Sequence, residues 1–230
     1  MSRDNSPKLR NKACDLAAGN WIAAAAVANE IADPWYACQA YAWCGRFAPA
    51  SESAALIDES FKRARGGKDP YQRLAANAWP LRALIELALS DRAAAEFETI
   101  SRIATDVQPP SSRAEACYLI FEALAGGPRG LGSRVLNWML NAVQPNRHWR
   151  EQRAVRDAVI QAVTIGLIQS GDVLHLVRDE RVAAQVAARL AGGERHEPRS
   201  FFWKRDKSTP VEASANEPRV EASQARTSGR

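Results

Sequence analysis

The chain has 230 residues, 46% of them hydrophobic and many of those alanine, enough for one domain with a core of ordinary size. Its net charge of +5 falls to +3 over residues 1–195 (24 Lys/Arg against 21 Asp/Glu), a mild bias with none of the concentration expected of a dedicated nucleic-acid binder. No segment approaches the ~18–20 apolar residues of a membrane span, and no run alternates apolar and polar residues long enough to read as a strand.

In chain order, residues 1–19 form a partly helical N-terminal segment. Lys8, Arg10 and Lys12 ahead of the apolar stretch Trp21–Ala28 have the outline of a secretory signal. Asp4, Asp15 and the Gly19-Asn20 interruption argue against export, and a cytoplasmic location is expected. The first helical pair spans 20–32 and 34–47. The second spans 53–65 and 70–89, with Ile57, Ser60, Phe61 and Ala64 on one face and Pro80 predicted to kink or end the partner helix. The third spans 92–105 and 112–125, where Ser112 and Glu115 make an S-x-x-E capping box. A fourth pair spans 133–143 and 145–169, and a shorter fifth 172–178 and 180–190, closed by Gly192-Gly193.

Pro34, Pro70, Pro110 and Pro145 recur at intervals of 36, 40 and 35 residues, each at the predicted start of a second helix. Proline suits the first helical position because its missing N–H would be unpaired there, and Asp33 and Asp69 are good N-cap acceptors. Repetition of helix, turn and proline-started helix marks units that bury their apolar faces only by stacking. Nine residues beyond Pro34 and Pro70 stand Trp43 and Trp79, each after an alanine, which places both in the shared core.

Asp33-Pro34, Asp69-Pro70-Tyr71-Gln72-Arg73 and Arg113 match the turn Asp and early second-helix Arg of HEAT repeats. Residues 20–191 thus resemble HEAT units or the related tetratricopeptide-like hairpins, although Ala37 stands where the first unit would carry Arg. The resemblance implies an all-α, right-handed α-solenoid of about five hairpins over residues 20–193. Beyond it, 194–230 reads as a disordered tail poor in large apolar anchors.

Catalytic and metal motifs are absent from the sequence. His148, His175 and His196 form no i, i+4 pair, no G-x-S-x-G elbow exists, and no cofactor is expected. Cys14, Cys38, Cys44 and Cys117 lack CxxC spacing and read as buried free thiols. Gly127-Pro-Arg-Gly-Leu-Gly132-Ser reads as a turn between units, since it lacks the phosphate-binding Lys and follows a helix.

Two candidate binding patches remain. Arg147, Trp149, Arg150 and Arg153 offer cations and an aromatic for phosphate or base contacts, as in the HEAT-like DNA glycosylases, with Asp157 the nearest carboxylate. Counted from Pro145, however, Trp149 falls on a core position, and Glu151 and Asp157 are placed to pair with the arginines on a solvated face. Phe201, Phe202 and Trp203, ahead of Lys204 and Arg205, either cap the last unit or dock a partner. The expected function is a non-enzymatic adaptor that holds a protein or peptide along a curved surface. The alternative is a nucleic-acid-binding protein, with base excision as its chemistry.

Overall fold

The structure, a computed structural model, describes residues 5–143 and 148–196, and all its regular elements are helical. They are α1 (Ser6–Ala17), α2 (Trp21–Asn29), α3 (Pro34–Phe47), α4 (Ala50–Arg65), α5 (Pro70–Ala75), α6 (Ala78–Glu86), α7 (Ser90–Ile100), α8 (Pro110–Ala125), α9 (Arg129–Ala142), α10 (Trp149–Thr164), α11 (Val173–Leu176) and α12 (Glu180–Ala191). Short 3₁₀ turns extend α7 at Ser101–Asp106 and precede α11 at Ser170–Asp172.

Proline sets three of these starts. Pro34, Pro70 and Pro110 each open a helix, and the Asp33 and Asp69 carboxylates accept from Trp35 N and Gln72 N at 2.9 and 2.8 Å. The helix predicted over 70–89 is two helices. The break comes at Ala76-Asn77, which puts Pro80 in the first turn of α6, where no N–H is required of it. The Ser112/Glu115 capping box does not form: α8 starts two residues earlier, at Pro110 behind Pro109, with no side-chain cap. The last long helix begins at Trp149, not Pro145, because His148 takes over the N-cap and its ring accepts from Arg150 N at 3.3 Å. Residues 126–128 alone separate α8 from α9, so Gly130 and Gly132 are helical.

Helices pack on their neighbours in the chain and on helices further along it. α3 meets α6, α5 and α6 meet α8, α8 meets α10, and α10 meets α12. α2 and α4 pack on α3, α7 on α6, α9 on α8, and α11 on α12, while α1 packs on α2 and α3. Alanine makes the approaches close. From Ala37 to Arg46 every residue of α3 is buried, as is nearly all of α8 beyond Glu115. Gly45 marks a close crossing: a Cβ there would lie 2.8 Å from Ile57 Cγ1, and Ser53 Oγ donates to the Gly45 carbonyl at 2.7 Å. Trp43 and Trp79 are in the core as the proline alignment predicts, 5% and 6% exposed.

Polar links join successive units. Lys68 reaches back to Asp33 at 2.9 Å, Arg65 pairs with Glu96 at 3.3 Å, Arg134 pairs with Glu98 at 3.2 Å, and Arg92 pairs with Asp58. Arg73 and Arg113, each three residues after its proline, donate to carbonyls six residues back, Gly67 O at 3.3 Å and Val107 O at 3.2 Å. The turn arginines therefore brace their own turns. The step between turns is carried by Lys68 instead.

Candidate functional site

The N-terminus of α10 carries the cationic cluster foreseen in the sequence, with one correction. Trp149 is the first residue of its helix and is 56% exposed, not in the core. The proline register fails here because the helix starts four residues after Pro145. The Arg150 and Arg153 guanidiniums lie 5.4 and 5.2 Å from the Trp149 ring centroid, within cation–π range. Neither forms an ion pair among the described residues, whereas Arg156 does, with Asp157 at 2.8 Å. Of the two carboxylates expected to pair with these arginines, Asp157 does so with Arg156, and Glu151 is buried.

Arg150, Arg153 and Asp157 line one wall of a hollow, and Glu115 and Tyr118 of α8 line the other. His196 closes it. Its ring lies 6.1 Å from that of Tyr118, and its N–H donates to Thr164 Oγ1 at 3.3 Å, which folds residues 194–196 back over α10. Arg147 and the Phe201, Phe202 and Trp203 patch lie outside the described residues.

A second hollow, not foreseen, is lined by residues of α1, α3, α5, α6 and α8. Trp35 and Tyr36 at the start of α3 and Tyr71 at the start of α5 form its walls, with Trp79 and Leu119 at its base. Trp35 stacks on Tyr71 (centroids 6.1 Å apart, planes 18° apart) and meets Trp79 edge-on at 5.2 Å. Arg10 leans in from α1, 5.7 Å from the Tyr36 ring, and donates to Gln39 Oε1. A usable signal existed in the sequence: both Pro34 and Pro70 are followed directly by an aromatic, where the first helical turn is exposed.

One helix borders both hollows. Leu119 of α8 reaches the aromatic one, while Glu115, one turn earlier on the same face, and Tyr118 reach the basic one.

The remaining chemistry-bearing groups are structural. Burial pushes the Cys38, Cys44 and Cys117 thiols up to about 12, so they stay protonated and inert. Among the described residues no three His, Cys, Asp or Glu side chains converge as metal ligands, and no helix is long and apolar enough to cross a membrane.

No family model, curated protein or solved structure matches the chain. What the chain does must be argued from its own surface.

Proposed function

We propose that the protein is an adaptor: a right-handed solenoid of about five helical hairpins, similar to HEAT or tetratricopeptide arrays, that binds a protein partner across the face bordered by α8. The repeat reading is supported by links between units at separations of 35, 34 and 31 residues (Lys68–Asp33, Arg92–Asp58, Arg65–Glu96), close to the intervals between the prolines. The observation that carries the binding reading is Trp149, a large aromatic left exposed between two guanidiniums that no described carboxylate neutralises. Exposed Trp and Arg at the rim of a concave site are the residue types that dominate interface energetics.

The same observation favours one second reading. A Trp flanked by free arginines is also a stacking platform for single-stranded nucleic acid. Base excision has less support, since Asp157 is already paired with Arg156.

A photo-crosslinking residue in place of Trp149 separates the two in cells. The adaptor predicts discrete protein adducts that resist nuclease and vanish in the Arg150→Glu/Arg153→Glu background. Adducts that are themselves nuclease-sensitive transfer the surface to nucleic acid.

A further inference from the structure

We propose that the aromatic hollow at Trp79 is the docking site of the chain's own segment Phe201-Phe202-Trp203, which folds back across α8 and covers the face that the adaptor offers a partner. The docking is independent of the adaptor reading. Only its consequence, that a partner has to displace the segment, rests on that reading.

The direction of the chain is the first argument. After α12 the left-handed Gly193 (φ +79°) reverses it, and Glu194 N bonds back to Arg189 O at 2.9 Å. Two residues later the His196 N–H donates to Oγ1 of Thr164, the last residue of α10, at 3.3 Å, and its ring lies 6.1 Å from that of Tyr118 in α8. The described chain thus ends against α8, having crossed the end of α10, and runs toward the earlier units. Leu119, the next residue of α8, is at the base of the aromatic hollow with Trp79. A cap on the last unit needs a further reversal after His196, because Gly193 and the contact with Thr164 have already carried the chain off α12 and past α10.

Reach is ample. Phe201 follows His196 by five residues and Trp203 by seven, about 17 and 24 Å of extended chain. α6 packs directly on α8, and packed helix axes lie roughly 8–10 Å apart. Pro198 favours an extended link, since it disfavours helix at Glu197. So short a tether holds the aromatics at an effective concentration of about mM, which lets weak contacts suffice.

The surfaces match. Phe201, Phe202 and Trp203 are the only Phe, Tyr or Trp residues beyond Trp149, and the hollow is lined by four aromatics and Leu119. Tyr71 and Arg10 already cover the faces of Trp35 and Tyr36. A guest ring therefore meets the edges of these two and rests on Trp79 and Leu119, and edge-to-face contact is a favoured arrangement of rings. The link carries one acid and one base, Glu197 and Arg199. The hollow it crosses is mixed in the same way, with Arg150 and Arg153 against Glu115 and Asp157.

The test uses the purified full chain. A photo-crosslinking residue in place of Trp203 is expected to form intramolecular adducts that mass spectrometry maps to α3, α5, α6 or α8. Adducts confined to α11, α12 or Ile165 make the segment a cap of the last unit, and adducts between chains make the occupant a second copy. Either result overturns the proposal, as does a lack of adducts. Trypsin supplies an independent readout. Cleavage after Lys204 is expected to be at least about tenfold slower than after Arg219 or Arg226 of the same tail, because it samples only the undocked population. Phe201→Ser/Phe202→Ser/Trp203→Ser is expected to remove that difference, and equal rates in the parent chain overturn the docking. Neither readout needs a partner, so their failure leaves the adaptor reading standing, and failure of the adaptor reading leaves the docking in place.

Discussion

Two arginine–tryptophan groups in this molecule use the same residue types to opposite ends. At the junction of α3 and α6, the Arg46 guanidinium covers Trp43 at 4.4 Å and pairs with Glu86 at 3.1 Å, and Glu86 also holds Arg82 at 3.0 Å. Both arginines are buried, 4% exposed. At the start of α10, Arg150 and Arg153 flank Trp149 at similar range, with no carboxylate and an open ring. Burial decides the difference. A guanidinium withdrawn from water must be compensated within the fold, whereas one left in water can wait for a partner. The first group therefore holds the fold together, and the second leaves its charges to solvent.

The sharpest way to break this contrast is Glu86→Ala. It leaves two buried cations without their shared carboxylate, and burial already presses Arg82 below its ordinary value against the pull of Glu86. Breaking a buried pair costs about 3–5 kcal/mol. Urea denaturation should show a loss of that order, and a loss below about 1 kcal/mol would mean that the junction relaxes to admit water.

The buried side also carries the pH response. Desolvation raises the Cys38, Cys44 and Cys117 thiols from 9.0 to about 12. Unfolded thiols lose their protons from about pH 9 while folded ones keep them. The unfolded chain then binds fewer protons, so stability falls as pH rises between 9 and 12, by up to ~1.4 kcal/mol per pH unit for each thiol. Cys38→Ala should flatten that slope by one thiol's share, measured from urea midpoints across the window. A slope equal to that of the parent protein would show that Cys38 ionises in the fold.

How legible each group was in the sequence follows from its position. Trp43 could be placed because it lies inside a helix whose start is fixed by Pro34 and Asp33, so that counting residues gives its face. Trp149 could not, because its helix takes its start from His148, and the count from Pro145 lands on the wrong side. The capping box at Ser112 misled for a related reason: Pro109-Pro110 already starts the helix, so its pattern has no helix end to cap. Arg82 and Glu86 have the i, i+4 spacing of an ordinary helix-surface pair, and nothing in the sequence marks the pair as buried or joins Arg46 of another helix to it. Arg10 and Gln39 lie 29 residues apart on two helices, which only the packing of α1 on α3 brings together.

The ends of the two helices sharpen the comparison at lower energy. α6 and α10 close alike: the amide two residues beyond the last helical turn's cap bonds back, Leu89 N to Leu84 O at 2.9 Å and Leu167 N to Ala162 O at 2.8 Å. The left-handed residue is Gly166 (φ +74°) in α10 but Ala88 (φ +58°) in α6. A Cβ in that region costs roughly 1–2 kcal/mol. Gly166→Ala should therefore destabilise by about 1 kcal/mol, as no neighbour lies within 4 Å of the new methyl to offset the strain. Ala88→Gly should stabilise by somewhat less, because glycine also loosens the unfolded chain. Melting temperatures that move in the same direction for both variants would contradict this account.

The smallest expected effect on stability is the most informative about function. Replacing Arg150 and Arg153 with Gln removes two charges that pair with no described carboxylate and lie only over an exposed ring, so stability should stay within about 0.5 kcal/mol of the parent. Iodide quenching of tryptophan fluorescence should respond strongly. The two guanidiniums draw an anionic quencher to the exposed Trp149 ring, and their field is screened as ionic strength shortens the Debye length below about 10 Å. Trp149→Phe should remove most of the iodide-sensitive emission, and the double Gln variant should reduce that sensitivity and its dependence on salt, while neutral acrylamide still reaches the ring. Trp43→Phe should leave iodide quenching as it was, because Arg46 is already neutralised and its tryptophan covered. If Trp149→Phe instead left the iodide-sensitive fraction intact, the ring would be covered in solution, and the two groups would differ in sequence only.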